Sequence, residues 1–475
     1  MAKKAYDPKS ATSILNHGMM LLGKSLRELH PKAEPLGGKG GLGKAVEKFH
    51  YEYEPNSEAE PDFAEAGLEL KCTPLKMLND HSMAAKERLV LNIINYMDEA
   101  QCAFSTSSFW RKNKFLLLMF YLHEAGVNPV DMLFKLIRTW QFPEEDLKII
   151  TDDWNTIHDK IRRGEAHLLT EGDTFYLAAC MKGSRGNAEM REQPFSDEPA
   201  QQRAYSLKQG YINKILLDSF LDQTTQHQLT ISPTRVDALR KKYASDKIVQ
   251  SVSSYRPKET FEQLVERRLS PYYGKTIAEI SEETHTAINL MAKSFAYNAI
   301  RAMLGIQTQR ILEFENAGIT VKSIALEAKE DKVKESMSFP YIRYVDIINQ
   351  EWEESDWYQT LSSKFLFVVF RKSPDKDRGK MKLIKVFFWN MPYRDLLIAE
   401  KLWKDTKDKV AQNDYDHFIT SLSHEVCHVR PHGTKRQKVP TPQGGEVQPK
   451  CFWLNKGYIL RIVNKHIGDS CSNLQ

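Results

Sequence analysis

Three residues in the first fifth of the chain have the types and spacing to hydrolyse a phosphodiester. Pro61-Asp62 is followed, six residues on, by Glu69-Leu70-Lys71, the pattern PD-x(6)-ExK. Phosphodiester cleavage needs a divalent cation to bind a scissile oxygen, activate water and offset the developing charge. Mg²⁺ prefers hard oxygen ligands, which Asp62 and Glu69 supply. Lys71 can orient the attacking water, depress its pKa and stabilise a pentacovalent transition state. The pattern alone is loose, because a charged strand edge with a solvated face also satisfies it.

Local structure must bring these groups together. Residues 64–67 read as a turn and residues 68–72 as a strand, in which Glu69 and Lys71 share one face while Leu68 and Leu70 enter the core. Asp62, ending the element before the turn, meets them there. Upstream, Gly40 opens an expected helix that ends near Tyr51. The same segment contains Gly38-x-Gly40-x-x-Gly43 and a run resembling a Walker A loop from Gly38 to Lys44. Ala45 stands where a Walker A loop needs Ser or Thr, and no strand precedes it, so neither nucleotide reading holds. His424-Glu425-Val426-Cys427-His428 is a formal HExxH, but Pro431 follows closely and residues 426–429 look like a strand. A zinc site needs that motif on a helix, so two structural histidines are expected.

The chain also repeats itself. DFAEAGLELK at 62–71 is echoed by EFENAGITVK at 313–322, an offset of 251 (313 − 62). Lys114-Phe115-Leu116 recurs as Lys364-Phe365-Leu366, Trp154 as Trp403, and Gly210-Tyr211-Ile212 as Gly457-Tyr458-Ile459, all in order and at nearly constant offset. A domain-sized period means a tandem pair rather than a solenoid. The expected layout is a domain over 1–230, a linker over 231–258 and a second domain over 259–475. Helical spacing at 146–163 and 399–412, with β-type runs at 114–121, 364–370 and 382–388, makes each half an α/β (α+β) unit.

Composition sets the outer bounds. With 41% hydrophobic and 27% charged residues the chain reads as an ordinary globular protein. No apolar run is long enough to cross a membrane, and the basic start has no apolar h-region, so neither a membrane span nor a secretory signal is expected. The six cysteines are scattered without paired spacing, which fits reduced thiols in a cytoplasm. A net charge of +5 permits polyanion binding without requiring it. Local basic clusters are the better guide: Arg111, Lys112 and Lys114; Lys182 to Arg185; and Arg430 to Lys438.

On these residues the first half resembles the MutH-type endonucleases, and the doubled layout resembles the GATC-specific type II restriction enzymes related to them. The likeness runs through Lys39-Gly40-x-x-Gly43-x-x-x-Glu47, Asp62-Phe63-Ala64-x-x-Gly67-x-Glu69-Leu70-Lys71, Arg111-Lys112-x-Lys114, Asp153-Trp154, Tyr176-Leu177, Lys182 and Leu207-Lys208. It implies two tandem restriction-endonuclease-like domains, each a mixed central sheet flanked by helices. It makes Asp62, Glu69 and Lys71 the metal and water-handling core, with Glu47 as a further acid near the metal and Lys112 reaching the site. It places Lys182, Ser184 and Arg185 in the loop that reads bases, where the family carries arginine-proline-lysine, and makes Lys208 a further DNA-binding residue. A repeat offset of 248 (430 − 182) aligns Lys182 with Arg430. In the second half Glu313 replaces Asp62, Thr320 replaces Glu69 and Lys322 remains. That copy has lost its chemistry, yet Arg430-Pro431-His432, with Lys435 and Arg436, keeps a loop close to the family's reading loop.

The expectation is a Mg²⁺-dependent cytoplasmic endonuclease cutting double-stranded GATC sites 5′ of the G. A second duplex on the second domain acts as effector, and dimerisation on DNA is open. The alternatives are an enzyme nicking hemimethylated GATC in mismatch repair, and a DNA-binding protein that does not cleave.

Overall fold

The computed structural model describes residues 4–38, 40–55, 60–182, 189–222, 228, 233–434 and 436–468. The chain forms two compact units. The first comprises Met1–Leu169, Asp173–Ser254 and Thr308–Gly318; the second comprises Thr170–Gly172, Tyr255–Gln307 and Ile319–Gln475.

The first unit is built on a mixed four-stranded sheet. Strand β1 (Glu69–Met77) pairs antiparallel with β2 (Met83–Ala85) on one side and parallel with β4 (Leu116–Leu122) on the other. β4 in turn pairs antiparallel with β5 (Phe134–Trp140). Six of the seven β4 residues are buried, as a strand flanked on both edges and covered on both faces requires. Leu117 and Met119 join Leu68, Leu70 and Ile137 in a core with Ile14 of helix α1 (Ala11–Gly18) and Leu42 of α2 (Gly41–Ala45). Leu68 and Leu70 thus enter the core as the strand pattern requires.

A second sheet of the unit orders β3 (Leu89–Ile93), β9 (Arg203–Leu207) and β6 (Leu177–Met181), all antiparallel, with β7 (Met190–Gln193) and β8 (Ser196–Gln201) forming a hairpin. Between the sheets in sequence, α3 (Ser108–Asn113) is capped by the Ser107 side chain. The 19-residue α4 (Glu144–Arg162) follows Pro143. Acids at 144–146 and bases at 160 and 162 complement its dipole. Ile150, Trp154, Ile157 and Ile161 repeat at helical spacing on its buried face. Replacing the fully buried Trp154 by Ala would cost about 3–5 kcal/mol. Helices α5 (Gln209–Leu221) and α6 (Pro233–Lys242) follow, the second in a stretch where the sequence shows no apolar face.

The second unit repeats the plan. β10 (Thr320–Leu326) runs parallel to β12 (Phe365–Arg371), which is antiparallel to β13 (Lys382–Trp389). β11 (Met337–Tyr341), β15 (Lys450–Leu454) and β14 (Cys427–Pro431) form the second sheet. The HExxH run therefore ends on a strand. His428 Nδ1 pairs with the Asn455 side chain, and the Cys427 amide donates to His424 Nδ1, so both histidines are structural.

The ladders fix the repeat more finely than the sequence does. Glu69 and Thr320 hold the same rung, opposite Leu116 and Phe365. β4 and β12 are thereby offset by 249 (365 − 116), one residue from the Lys-Phe-Leu alignment. Leu177 and Cys427 share a rung opposite Leu207 and Leu454, an offset of 250 (427 − 177). Lys182 accordingly corresponds to His432, and the alignment of Lys182 with Arg430 is corrected by two residues. Similar sequence cannot sense where strand pairing begins; backbone hydrogen bonding sets it.

Candidate active site

Asp62 and Glu69 are locked to each other through the backbone. The Asp62 amide donates to Glu69 Oε2 at 3.0 Å, and the Leu70 amide donates to Asp62 Oδ2 at 2.9 Å. Between them Phe63 bridges Leu68, and a single 3-10 turn over Ala64–Ala66 ends at Gly67 with φ of 63°. That left-handed conformation suits glycine, so the six-residue spacing is the length of one tight reversal. The backbone itself thus holds the two carboxylates.

Glu69 is 1% exposed. Lys71 Nζ lies 2.5 Å and Lys112 Nζ 3.7 Å from its Oε1, both lysines largely buried. Burial pushes the Glu69 carboxyl pKa up, and the Lys71 ammonium pulls against it. Lys112 comes from the last turn of α3, whose Asn113 side chain ties back to Asn92 at 2.8 Å. Glu47 sits on a π-helical turn (Val46–His50) that replaces the expected continuation of the upstream helix. Burial, then the Asp62 charge, raises Glu47 to about 7. The field acting on Glu47 arises from Asp62, Lys71, Glu69 and Lys112, so the five expected groups interact as one cluster.

The donor set suits a hard divalent cation. Three carboxylates repel one another here, Glu47 and Asp62 half-buried and Glu69 fully buried. Among the described residues no three His, Cys, Asp or Glu side chains stand close enough to enclose a metal by themselves. Mg²⁺ commonly takes one or two carboxylates and completes its shell with water and substrate phosphate, which Asp62 and Glu69 permit. Tyr53 adds an orphaned group: its hydroxyl is buried without a hydrogen bond. Nothing in the motif pattern singles it out.

The expected reading loop begins where β6 ends. Lys182 is exposed, and its amide donates to the Gln202 carbonyl at 3.0 Å. Ser184 and Arg185 lie outside the described residues, as does Lys435. Lys208 is half-buried and its ammonium donates to the Thr174 carbonyl at 2.5 Å. The structure gives a role to Asp153, whose motif the sequence offered without one. Its 2% exposed carboxylate accepts the amides of Phe175, Tyr176 and Leu177 at 2.6–2.9 Å. Three donors on one carboxylate pin the start of β6 to α4, and so fix the strand that delivers Lys182.

The second copy has been rebuilt. Glu313, on a short helix α7 (Leu312–Ala317), is 4% exposed and accepts the amides of Ile248 and Val249 at 2.9 and 2.8 Å. Lys322 donates to the Ser338 carbonyl at 3.3 Å and lies 4.8 Å over the Phe339 ring. Burial alone lowers its pKa. The carboxylate and lysine of this copy each have structural work. Its other sheet presents a cationic and aromatic patch: the Arg430 guanidinium lies 3.7 Å over the Trp453 ring, with His432 5.2 Å from Trp453 and 5.7 Å from Tyr341. Arg430, His432 and Arg436 are exposed.

The profile of the DNA mismatch repair enzyme MutH matches residues 51–153 and again 305–401, one segment in each copy of the repeat. The chain is 31% identical over 487 residues to the type II restriction enzyme Sau3AI of Staphylococcus aureus, covering 95% of this chain and 94% of that one.

Proposed function

The chain belongs to the MutH-type endonuclease family, among its two-domain type II restriction enzymes, and from that premise we propose that it cleaves double-stranded DNA at GATC, 5′ of the G, with Mg²⁺. The observation that carries the reading is the pair of carboxylates held by reciprocal backbone bonds, with Lys71 on Glu69. The catalytic role falls to the first unit, expected over 1–230. Asp62 and Glu69 would hold the cation, which supplies Lewis-acid stabilisation of the phosphate. Lys71 places positive charge beside the reacting centre and orients the attacking water, while Lys112 shares the charge of Glu69. Glu47 would hold a proton in transit, a task that its pKa near neutrality fits.

Base reading is assigned to Lys182, with Ser184 and Arg185 beyond it in sequence. A lysine donates to guanine O6 or N7 without the fork of an arginine. Lys208 supports this loop from the foot of β6 rather than by reaching DNA itself. In the second unit, expected over 259–475 after a linker at 231–258, Arg430, His432, Lys435 and Arg436 would engage a second GATC duplex as effector. Cutting both strands with one active site calls for dimerisation on DNA or two successive nicks. Among the described residues no helix is long and apolar enough to cross a membrane. The five described cysteines are free, which suits the cytoplasm.

The test is digestion of unmethylated plasmid with and without EDTA, followed by sequencing of the ends. Four-base 5′ GATC overhangs, produced only without chelator, are the expected result. Single-strand nicks confined to hemimethylated sites would instead favour a mismatch-repair enzyme, and binding without cleavage would reject the nuclease.

A further inference from the structure

Tyr53 stands at the edge of the carboxylate cluster with nothing for its hydroxyl to bond. Its backbone N–H donates to the Glu47 carbonyl at 3.2 Å. Its ring meets that of Phe63, the neighbour of Asp62, nearly edge-on at 5.7 Å. These two contacts fix the phenol between the π-helical turn and the Pro61-Asp62 segment. The phenol oxygen is sealed from solvent and makes no hydrogen bond. A buried hydroxyl in that state destabilises a fold, and nothing about the packing of the ring requires it, since phenylalanine has the same ring.

The charges around the phenol say what it faces. Burial raises its pKa far above the ordinary range, and Asp62, Glu47 and Glu69 raise it further. The hydroxyl therefore stays protonated, and the charges of three carboxylates act on it.

We propose that Tyr53 is a positioning residue of the metal site, donating a hydrogen bond to an oxygen ligand that enters with the divalent cation. This rests on the reading of Asp62 and Glu69 as the cation's ligands. Tyr53 would thereby add a neutral donor to a shell that Asp62 and Glu69 leave open to water and substrate oxygen. An oxygen ligand of the cation would give the hydroxyl the partner it lacks among the described residues.

The test is Tyr53→Phe in the full chain, with Glu69→Ala beside it. Calorimetry would give the affinity for Mn²⁺ without DNA, and thermal melting in EDTA the stability of the metal-free protein. The Mg²⁺ concentration giving half-maximal cleavage completes the set. Tyr53→Phe is expected to melt in EDTA no lower than wild type, to bind Mn²⁺ about 3- to 10-fold more weakly, and to need correspondingly more Mg²⁺. Unchanged Mn²⁺ affinity, with or without a lower melting temperature, overturns the inference and leaves Tyr53 a packing residue. In that case loss of Mn²⁺ binding by Glu69→Ala still upholds the carboxylate site. If wild type and Glu69→Ala titrate alike, the site reading falls and this inference with it.

Discussion

Lys182 and His432 stand on the same rung of their respective sheets. The Lys182 amide donates to the Gln202 carbonyl at 3.0 Å, and the His432 amide donates to the Pro449 carbonyl at 3.2 Å. Each is the first residue past the strand, so the last ladder bond holds its backbone while its side chain is exposed. That is a sound mounting for a group that must meet a base edge in register, because the sheet rather than the loop sets its position.

Lys182→Ala is therefore expected to lose discrimination between GATC and near-cognate sites. One good base contact is worth ~1–3 kcal/mol, so the specificity ratio should fall by roughly one to two orders of magnitude. Competition binding in Ca²⁺ across a set of single-substitution sites measures it. A uniform loss on all sequences, with a salt slope smaller by about one, would instead make Lys182 a phosphate contact.

Glu69→Ala and Lys71→Ala should abolish cleavage while leaving specific binding largely intact, because both groups act on phosphate and neither reads a base. Residual cleavage above about 10% of wild type would remove either residue from the chemistry. Asp62 differs in kind. Its carboxylate also holds the Leu70 amide, so Asp62→Ala should lower stability as well as activity, whereas Asp62→Asn should preserve the turn and lose only the activity.

Much of this site is legible in the sequence, for reasons that can be located. The Asp62 to Lys71 spacing is set by one turn and two strand residues, and local rules suffice to read it. The buried run of β4 and the amphipathic α4 announce themselves by composition and period. What stays hidden depends on pairing across the chain. The two-residue shift that sets Lys182 against His432 is written only in the ladder. Glu313 looks like a conservative stand-in for Asp62, but its added methylene goes with a carboxylate bonded to Ile248 and Val249. Tyr53 and the triple amide contact of Asp153 arise from burial that no local pattern encodes. The α6 helix lies in a stretch so polar that its apolar period is invisible.

Acid should weaken the first unit through His50. Its ring is 3% exposed, exchanging reciprocal bonds with His17, and its Nδ1 pairs with His30 at 3.1 Å. Burial first, and His17 next, lower its pKa from 6.5 to about 4. Burial lowers His30 too. The folded state thus keeps His50 neutral while the unfolded chain takes up a proton below about 6.5. Its contribution is complete above that pH and is lost as the pH falls toward 4. Melting temperature should drop over this window, and His50→Asn should flatten that part of the curve while starting lower at pH 7. Parallel curves for the two proteins would show that other groups carry the acid dependence.

The second unit should act as an effector site that senses another GATC duplex. A copy kept only as scaffold has no need of an exposed guanidinium stacked on Trp453, with His432 and Tyr341 beside it. The repeat counterparts of Asp62 and Lys71 are committed elsewhere, Glu313, which belongs to the first unit, to the Ile248 and Val249 amides and Lys322 to the Ser338 carbonyl, so DNA bound by the second unit is not DNA to be cut there. If such binding favours the cleaving state of the first unit, the coupling must be reciprocal: substrate at the first unit tightens the second. Plasmids with two GATC sites should then be cut several-fold faster than plasmids with one. A short GATC duplex added in trans should rescue the one-site plasmid. Arg430→Ala should remove that rescue, because it takes the cation off the Trp453 face, while basal cleavage of the one-site plasmid stays near wild type. His432→Ala should weaken the rescue in a sequence-dependent way if its rung serves as that of Lys182 does. Equal rates on one-site and two-site plasmids across enzyme concentrations would reduce the second unit to a scaffold.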